Sequence, residues 1–191
     1  MNNLRFLFRY GTEEERNKIE DQIIQEHTVG INTRVLSRIE VVVRNSLVEL
    51  QVPSLYEPLT FPSIKIRGKY LVHKPDFLAY RNSVDGKVLA FQPHGLQFID
   101  YFFLEKLKKF GEKYGLYMVL ISANIQDIIP ISPEKIRLYV DEFWVAPYNT
   151  GEKQEKTRAW TVNKIAELLR RSVFEAPYHN GLTRILEQLK A

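Results

Sequence analysis

The 191-residue chain is long enough to bury one substantial core, and 45% of its residues are hydrophobic. Its 27 Lys plus Arg exceed its 23 Asp plus Glu by a margin that suits a polyanionic partner and an ordinary solvated surface equally well. The absence of cysteine excludes disulfide frameworks, thiolate metal sites and cysteine nucleophiles. Because the sequence has neither an apolar stretch of about 20 residues nor the opening of a signal peptide, we expect an intracellular, cytoplasmic protein with no membrane partner.

The first predicted elements are two helices. The run Thr12-Glu13-Glu14-Glu15 has the pattern of a capping box and predicts a helix to about His27. From Thr33 to Leu50, apolar residues recur at intervals of three and four, which predicts a second helix with one face in the core. Pro53 follows as its stop.

The next part of the chain has the periodicity of strands. We expect strands from Leu55 to Ile66, from Tyr70 to Tyr80 and from Lys87 to Gln92. An Arg67-Gly68 turn and a loop closed by Asp85-Gly86 connect them. Together they predict an antiparallel three-stranded meander.

A third helix is predicted from about Leu96 to Tyr114, with Gly115 as its stop. The aromatic residues on it that we expect to pack in the core are Phe98, Tyr101 and Phe102. Strands are predicted from Leu116 to Ile121 and from Arg137 to Val145.

The polar stretch 149–156 predicts a linker, and two short helices are expected after it, at about 161–171 and 181–190. We therefore expect an α/β domain over residues 1–148, with its core at about 33–145, and a linker with a helical C-terminal appendage over 149–191. The order of elements predicts an α/β sandwich with a mixed central sheet flanked by helices. It differs from a doubly wound nucleotide-binding fold, so no nucleotide cofactor is expected.

Four positions have the residue types and the order that a metal-dependent nuclease needs. Glu40 lies beside the apolar face of the second helix, and Asp76 follows Pro75 in the middle strand of the predicted meander. Gln92 and His94, two residues apart at the next strand, are expected to project from one face. Cleavage of a phosphodiester requires a hard cation held by oxygen ligands, and carboxylates are ligands of that kind.

These residues occur in a succession that resembles a known core. A helix acid is followed by Tyr56-Glu57-Pro58, by Lys74-Pro75-Asp76-Phe77 and by a hairpin into Val88-Leu89-Ala90-Phe91-Gln92-Pro93-His94. Over about 37–121, this succession is similar to the PD-(D/E)XK nucleases, which include transposon-end endonucleases and Holliday junction resolvases. The resemblance implies a restriction-endonuclease-like fold, endonuclease activity on DNA, Mg²⁺ or Mn²⁺ as cofactor, and a homodimer.

Carried across by position, the resemblance implies a metal held by Glu40, Asp76, Gln92 and the backbone carbonyl of Pro93, with His94 in the place of the family's Lys. Gln92 is neutral where most members have an acid, so the site has two carboxylates instead of three. His94 lacks a permanent positive charge at neutral pH. Two alternatives therefore stay open: a catalytically inactive protein that binds DNA or serves as a scaffold, and a module that recognises another protein.

Other residues near these positions are candidates for contact with DNA. Gln97-Phe98-Ile99-Asp100-Tyr101 is similar to the Gln-x-x-x-Tyr motif of exonuclease-like branches, which singles out Gln97 and Tyr101. Basic side chains near the site could meet phosphates, or could equally belong to a solvated face; they include Arg44, Arg67, Lys69 and Lys74. We expect His73 to be a packed or surface residue and not a metal ligand.

Overall fold

The computed structural model describes residues 11–30, 37–123, 131–147, 153–177 and 180–188. The helices in these ranges are α1 (Glu13–His27), α2 (Arg38–Glu49), α3 (Tyr101–Tyr114), α4 (Pro133–Ile136), α5 (Lys153–Arg170) and α6 (Gly181–Gln188). The strands are β1 (Leu55–Tyr56), β2 (Phe61–Ile66), β3 (Lys69–His73), β4 (Phe77–Val84), β5 (Lys87–Pro93), β6 (Leu116–Ala123), β7 (Glu142–Ala146) and β8 (Val173–Phe174). None of the helices in the described ranges is long and apolar enough to cross a membrane.

The strands form a mixed sheet in the order β1-β4-β5-β6-β7, with β8 also paired to β4. β4 runs antiparallel to β5, whereas β5, β6 and β7 are parallel. Helices cover both faces, so the predicted α/β class with a mixed central sheet is confirmed.

The predicted three-stranded meander is wrong, and the strand expected from Leu55 to Ile66 is divided between β1 in the main sheet and β2. β2 and β3 pair with each other in a separate two-stranded sheet, and the strand expected from Tyr70 to Tyr80 is divided between β3 and β4. Pro75 lies in the break, where its fixed φ and missing N–H interrupt a ladder of hydrogen bonds. Asp76 consequently precedes β4 and does not lie inside a strand.

The two sides of β6 explain its unbroken apolar sequence. Leu116, Met118 and Leu120 belong to one core cluster, whereas Tyr117, Val119 and Ile121 belong to the other. A strand buried on both faces needs apolar residues at every position. On the first side the helices are chiefly α1, α3 and α6, and on the second side they are α2 and α5.

Helix α1 begins at the predicted capping box, with the Thr12 and Glu15 side chains each bonded to the other's backbone N–H. Helix α2 is capped by Ser37, whose Oγ accepts a hydrogen bond from the Glu40 backbone N–H at 3.2 Å. The predicted start of this helix, at Thr33, lies outside the described residues.

The third predicted helix is interrupted at its beginning. Leu96–Phe98 form a 3₁₀ turn, and α3 starts only after Asp100, whose Oδ1 accepts a hydrogen bond from the Phe103 N–H at 2.6 Å. This N-cap starts a new helical phase. As a result Phe98 is 66% exposed and Tyr101 42% exposed, and the prediction that they pack in the core was wrong.

The segment before β7 also differs from its prediction. A strand was expected from Arg137, but Ser132 and Pro133 start the single-turn helix α4. Pro at the first helical position has the right φ and loses no intrahelical hydrogen bond. The strand therefore begins only at Glu142.

The C-terminal helices contribute to both core clusters. α5 supplies Ile165 and Leu168 to the cluster that contains α2, and α6 supplies Leu182 and Ile185 to the opposite one. α5 already begins at Lys153, inside the stretch predicted as a linker. The predicted domain boundary at residue 148 lies outside the described residues.

Helix α6 is seated very closely on the sheet. A Cβ atom at Gly181 would lie 2.3 Å from Val88 Cγ2 and 2.9 Å from the Tyr80 carbonyl oxygen. The buried Glu20 of α1 accepts hydrogen bonds from Asn180 Nδ2 and Thr183 Oγ1, both at 2.9 Å. The two ends of the described chain are thereby joined.

His73 is a packed residue, as predicted, and it gives the fold a pH-dependent stability. It is 4% exposed between the rings of Phe61 and Phe110, and its Nε2 has no hydrogen-bond partner among the described residues. Burial lowers the pKa of His73 to about 3, with a smaller contribution from the positive charge of Lys106.

Because the folded protein favours the neutral imidazole, the stability from His73 is complete above its unfolded pKa of about 6.5 and is lost as the pH falls toward 3. We expect this residue to account for a loss of about 3 kcal/mol in the free energy of unfolding between pH 7 and pH 4. Urea titrations at several pH values measure it. His73→Leu should flatten the pH dependence, and an unchanged slope in that variant would contradict the assignment.

Candidate active site

Three of the predicted site residues meet at one end of the sheet. Gln92 and Pro93 are the last residues of β5, and Asp76 immediately precedes β4. Because β4 is antiparallel to β5, with Phe77 opposite Phe91, the start of one strand adjoins the end of the other. The carboxyl ends of β5 and β6 lie at this edge, which is where open α/β sheets commonly bind ligands.

Asp76 and Gln92 contact each other directly. The Gln92 Nε2 donates a hydrogen bond to Asp76 Oδ2. Gln92 is 6% exposed, and within the described ranges its Oε1 is buried without a hydrogen-bond partner. A buried amide oxygen in this state is costly, so it is suited to an additional donor or cation.

Glu40 comes from α2, which packs on the face of the sheet opposite to α3, and it reaches the same end of the molecule, where its negative charge acts on Asp76. The Tyr56 hydroxyl donates a hydrogen bond to Glu40 Oε2 at 3.2 Å. Tyr56 lies on β1, and its ring centroid is 5.1 Å from that of Phe77, next to Asp76. Burial and the negative charge of Glu40 raise the pKa of Tyr56, so the hydroxyl remains a donor that positions the carboxylate.

The electrostatic environment of Asp76 is unfavourable to its charge. Burial, together with the negative charges of Glu40 and Glu57, raises the pKa of Asp76 to about 8, although Lys106 and the Gln92 hydrogen bond act in the opposite direction. The Glu57 backbone N–H also donates to the Asp76 carbonyl oxygen at 2.9 Å. Two other carboxyl groups therefore act on Asp76 at this edge.

His94 follows the end of β5 and lies against α3. Its ring stacks on Phe103, with centroids 4.1 Å apart and an interplanar angle of 12°. Burial lowers the pKa of His94, so the imidazole is neutral at neutral pH. A neutral imidazole can accept or orient a proton, but it cannot supply fixed positive charge.

Lys106 was not among the residues predicted from the sequence. It lies on α3, with its Nζ 5.2 Å from the Phe103 ring centroid, and its positive charge acts on both Asp76 and His94. Burial lowers the pKa of Lys106, whereas the negative charges of Asp76 and Asp100 raise it. The sequence shows only a lysine three residues after Phe103 on the predicted helix, and no linear motif connects it to Asp76.

Glu57 and Tyr56 were also assigned no role in advance, although both belong to the Tyr56-Glu57-Pro58 segment that carries the resemblance. Glu57 has a φ of 45°, in the left-handed region that is uncommon for a non-glycine residue. Its carboxylate pairs with Lys74 Nζ. The Glu57 carboxylate thus lies near enough to Asp76 to raise its pKa, and it forms an ion pair with Lys74.

A cavity of about 440 Å³ opens beside these residues. Its wall includes Glu40, Pro93 and His94 of the predicted metal and catalytic set. Gln97 and Phe98 line it as well, which places the first residue of the Gln-x-x-x-Tyr pattern at the site. Tyr101, the other residue of that pattern, begins α3 and makes an edge contact with Tyr139, with centroids 6.3 Å apart.

The basic candidates are spread over separate elements. Lys74 is paired with Glu57, and the Arg67 Nε lies 2.6 Å from Glu105 Oε2, so both already have an acidic partner. Lys69 is exposed at the start of β3.

On α2, the Nε of Arg44 donates a hydrogen bond to Asn45 Oδ1 at 3.1 Å. Together with the basic side chains of the β2–β3 region, Arg44 stays a candidate for contact with phosphates.

The Glu40 and Asp76 carboxylates and the amide oxygen of Gln92 are oxygen ligands of the chemical type that a hard divalent cation prefers. No three His, Asp or Glu side chains in the described part of the chain are placed to hold a metal ion together. The amide and a main-chain carbonyl are thus needed to complete a metal site.

Comparison of the chain with family models gave no match, and neither did comparison with curated proteins or with solved structures.

Proposed function

We propose that this chain is a divergent, metal-dependent endonuclease of the PD-(D/E)XK kind, with a restriction-endonuclease-like arrangement of its sheet and helices. The observation that supports the proposal most is the contact between Asp76 and Gln92 at the ends of adjacent strands, with a buried Gln92 oxygen that has no hydrogen-bond partner among the described residues. The substrate of the proposed reaction is DNA. By the same resemblance, a cytoplasmic homodimer could cut both strands.

In this proposal Glu40, Asp76, Gln92 and the Pro93 carbonyl hold Mg²⁺ or Mn²⁺. The bound ion would supply an activated water and would offset the charge that develops on the phosphate. The protein holds the ligands themselves: the Tyr56 hydroxyl orients Glu40, and the Gln92 amide orients Asp76.

The remaining roles fall to His94 and Lys106. Neutral His94, held by its stack on Phe103, is suited to orient water or accept its proton. Lys106 supplies the positive charge near Asp76 that His94 cannot supply. In this proposal His94 and Lys106 together take the place of the single Lys of the family pattern.

The alternative is a catalytically inactive DNA-binding or scaffold protein of the same fold. The hydrogen bond from Gln92 favours it, because it satisfies part of the Asp76 carboxyl group without a cation. Salt-sensitive DNA binding without cleavage and without Mn²⁺ binding would be its signature.

The test is incubation of the purified chain with supercoiled, linear and branched DNA, in Mg²⁺, in Mn²⁺ and in excess chelator. The proposal predicts cleavage with either ion and none with chelator, together with Mn²⁺ binding measured by calorimetry. If neither cleavage nor Mn²⁺ binding occurs, the nuclease proposal fails. In that case, retarded DNA mobility at low salt supports the inactive DNA-binding protein, and unaltered mobility supports a module that recognises protein.

A further inference from the structure

We infer that the cavity beside the site binds a single unstacked nucleotide of single-stranded DNA, with its base against Phe98. This inference rests on the proposed function, because it names the form of DNA that the site accepts. It starts from Phe98, which is 66% exposed although both Leu96 and Ile99 beside it are buried. An exposed ring at the wall of a cavity offers an apolar surface to a ligand.

The position of the Phe98 ring is set by the backbone. The 3₁₀ turn Leu96–Phe98 is closed by a hydrogen bond from the Phe98 N–H to the Gly95 carbonyl at 3.0 Å. The ring makes an edge contact with His94, with centroids 6.3 Å apart and an angle of 65°. Phe98 is therefore held next to the proposed catalytic histidine and not at a distant surface.

The other side chains at the wall suit a nucleotide. The Gln97 amide lies against Gly95: a Cβ atom added to Gly95 would be 3.0 Å from Gln97 Oε1. An amide offers both a donor and an acceptor to the edge of a base. Arg38 is exposed on the same wall and forms no ion pair with any described residue. Its guanidinium is available to a phosphate.

The size and the chemistry together favour an unpaired base. A volume of about 440 Å³ falls in the range of about 300 to 1,000 Å³ that is usual for pockets that take small molecules. In a duplex both faces of each base are covered by neighbours, so a base can lie on Phe98 only where the DNA is single-stranded or locally unpaired. Stacking on an aromatic ring is tolerant of sequence, because every base has a π face.

Binding is measured by fluorescence anisotropy in excess chelator, so that no cleavage occurs, with a labelled oligothymidylate of about 16 nucleotides and a duplex of the same length. We expect the single strand to bind more tightly than the duplex. Phe98→Ala should weaken single-strand binding about tenfold or more, and Phe98→Trp should retain it. A 2-aminopurine base in the strand should lose fluorescence on binding to the original chain but not to Phe98→Ala.

Phe174→Ala is the matched control, since Phe174 is 58% exposed on β8 and is not part of this cavity. Equal single-strand affinity in Phe98→Ala and Phe174→Ala would overturn the inference. If DNA is cleaved but binding does not depend on Phe98, the inference fails and the proposed function stands. If single-strand binding depends on Phe98 but no metal-dependent cleavage is found, the inference stands and the nuclease fails.

Discussion

Replacing Asp76 by Asn is expected to lower metal-dependent DNA cleavage by at least about a thousandfold. The carboxylate is one of only two in the proposed ligand set, and an amide has no charge with which to hold a divalent ion. Asn is close to Asp in size, so the strand ends around the site keep their packing. Initial rates of plasmid nicking in Mg²⁺, together with Mn²⁺ binding by calorimetry, measure the effect.

The same substitution should not lower the melting temperature. Burial and the negative charges of Glu40 and Glu57 raise the pKa of Asp76 to about 8, so the group is already mostly neutral at pH 7 without a bound cation, and a neutral amide of similar size costs the fold little. Asp85→Asn is the matched control. Asp85 is exposed in the turn between β4 and β5 with a φ of 51°, and Asn tolerates that conformation well. Cleavage by Asp76→Asn at the rate of Asp85→Asn would remove the basis of the proposed site.

Replacing Lys106 by Met is expected to lower the rate of cleavage about a hundredfold while DNA binding changes little. Met keeps most of the aliphatic stem of Lys106 but removes the positive charge, which lies over the Phe103 ring and acts on Asp76 and His94. A charge aimed at the developing negative charge in a partly buried site contributes mainly to the transition state. The effect should therefore appear in kcat with little change in KM.

Lys109→Met tests whether any lysine on α3 has this effect. Lys109 is on the same helix but its side chain is exposed to solvent. We expect its cleavage rate to be close to that of the original chain. A purely structural role for Lys106 would instead show as a lower melting temperature with kcat unchanged, and this outcome would exclude the assigned function.

Much of the fold could be predicted because local signals and tertiary structure agree. The capping box at Thr12 starts α1, and the apolar run from Leu116 forms a strand buried on both sides. The Asp85-Gly86 pair, predicted to close a loop, forms a two-residue turn with both φ angles positive. In each case a few adjacent residues carry the information.

The errors arose where one residue changed the course of the chain. Pro75 removes the β2–β3 hairpin from the main sheet, and Asp100 restarts the helix so that Phe98 and Tyr101 face solvent. Periodicity alone does not resolve such breaks, because the apolar pattern continues across them.

The proximity of Asp76 and Gln92 followed from their place on consecutive segments that pair as neighbours. Lys106 was missed because only the packing of α3 on the sheet brings its charge near Asp76, and no local spacing encodes that proximity. Glu57 was missed for a different reason: an unusual backbone conformation directs its charge toward the site.

The close seating of Gly181 on β5 limits how the protein can be dissected. A version truncated near residue 148, at the domain boundary predicted from the sequence, lacks Leu182 and Ile185 on one side of the sheet and Ile165 and Leu168 on the other. Both sides of the sheet would then present bare apolar surface, which promotes aggregation. Recombinant work on this chain should therefore retain the whole tail and place affinity tags away from the start of α6.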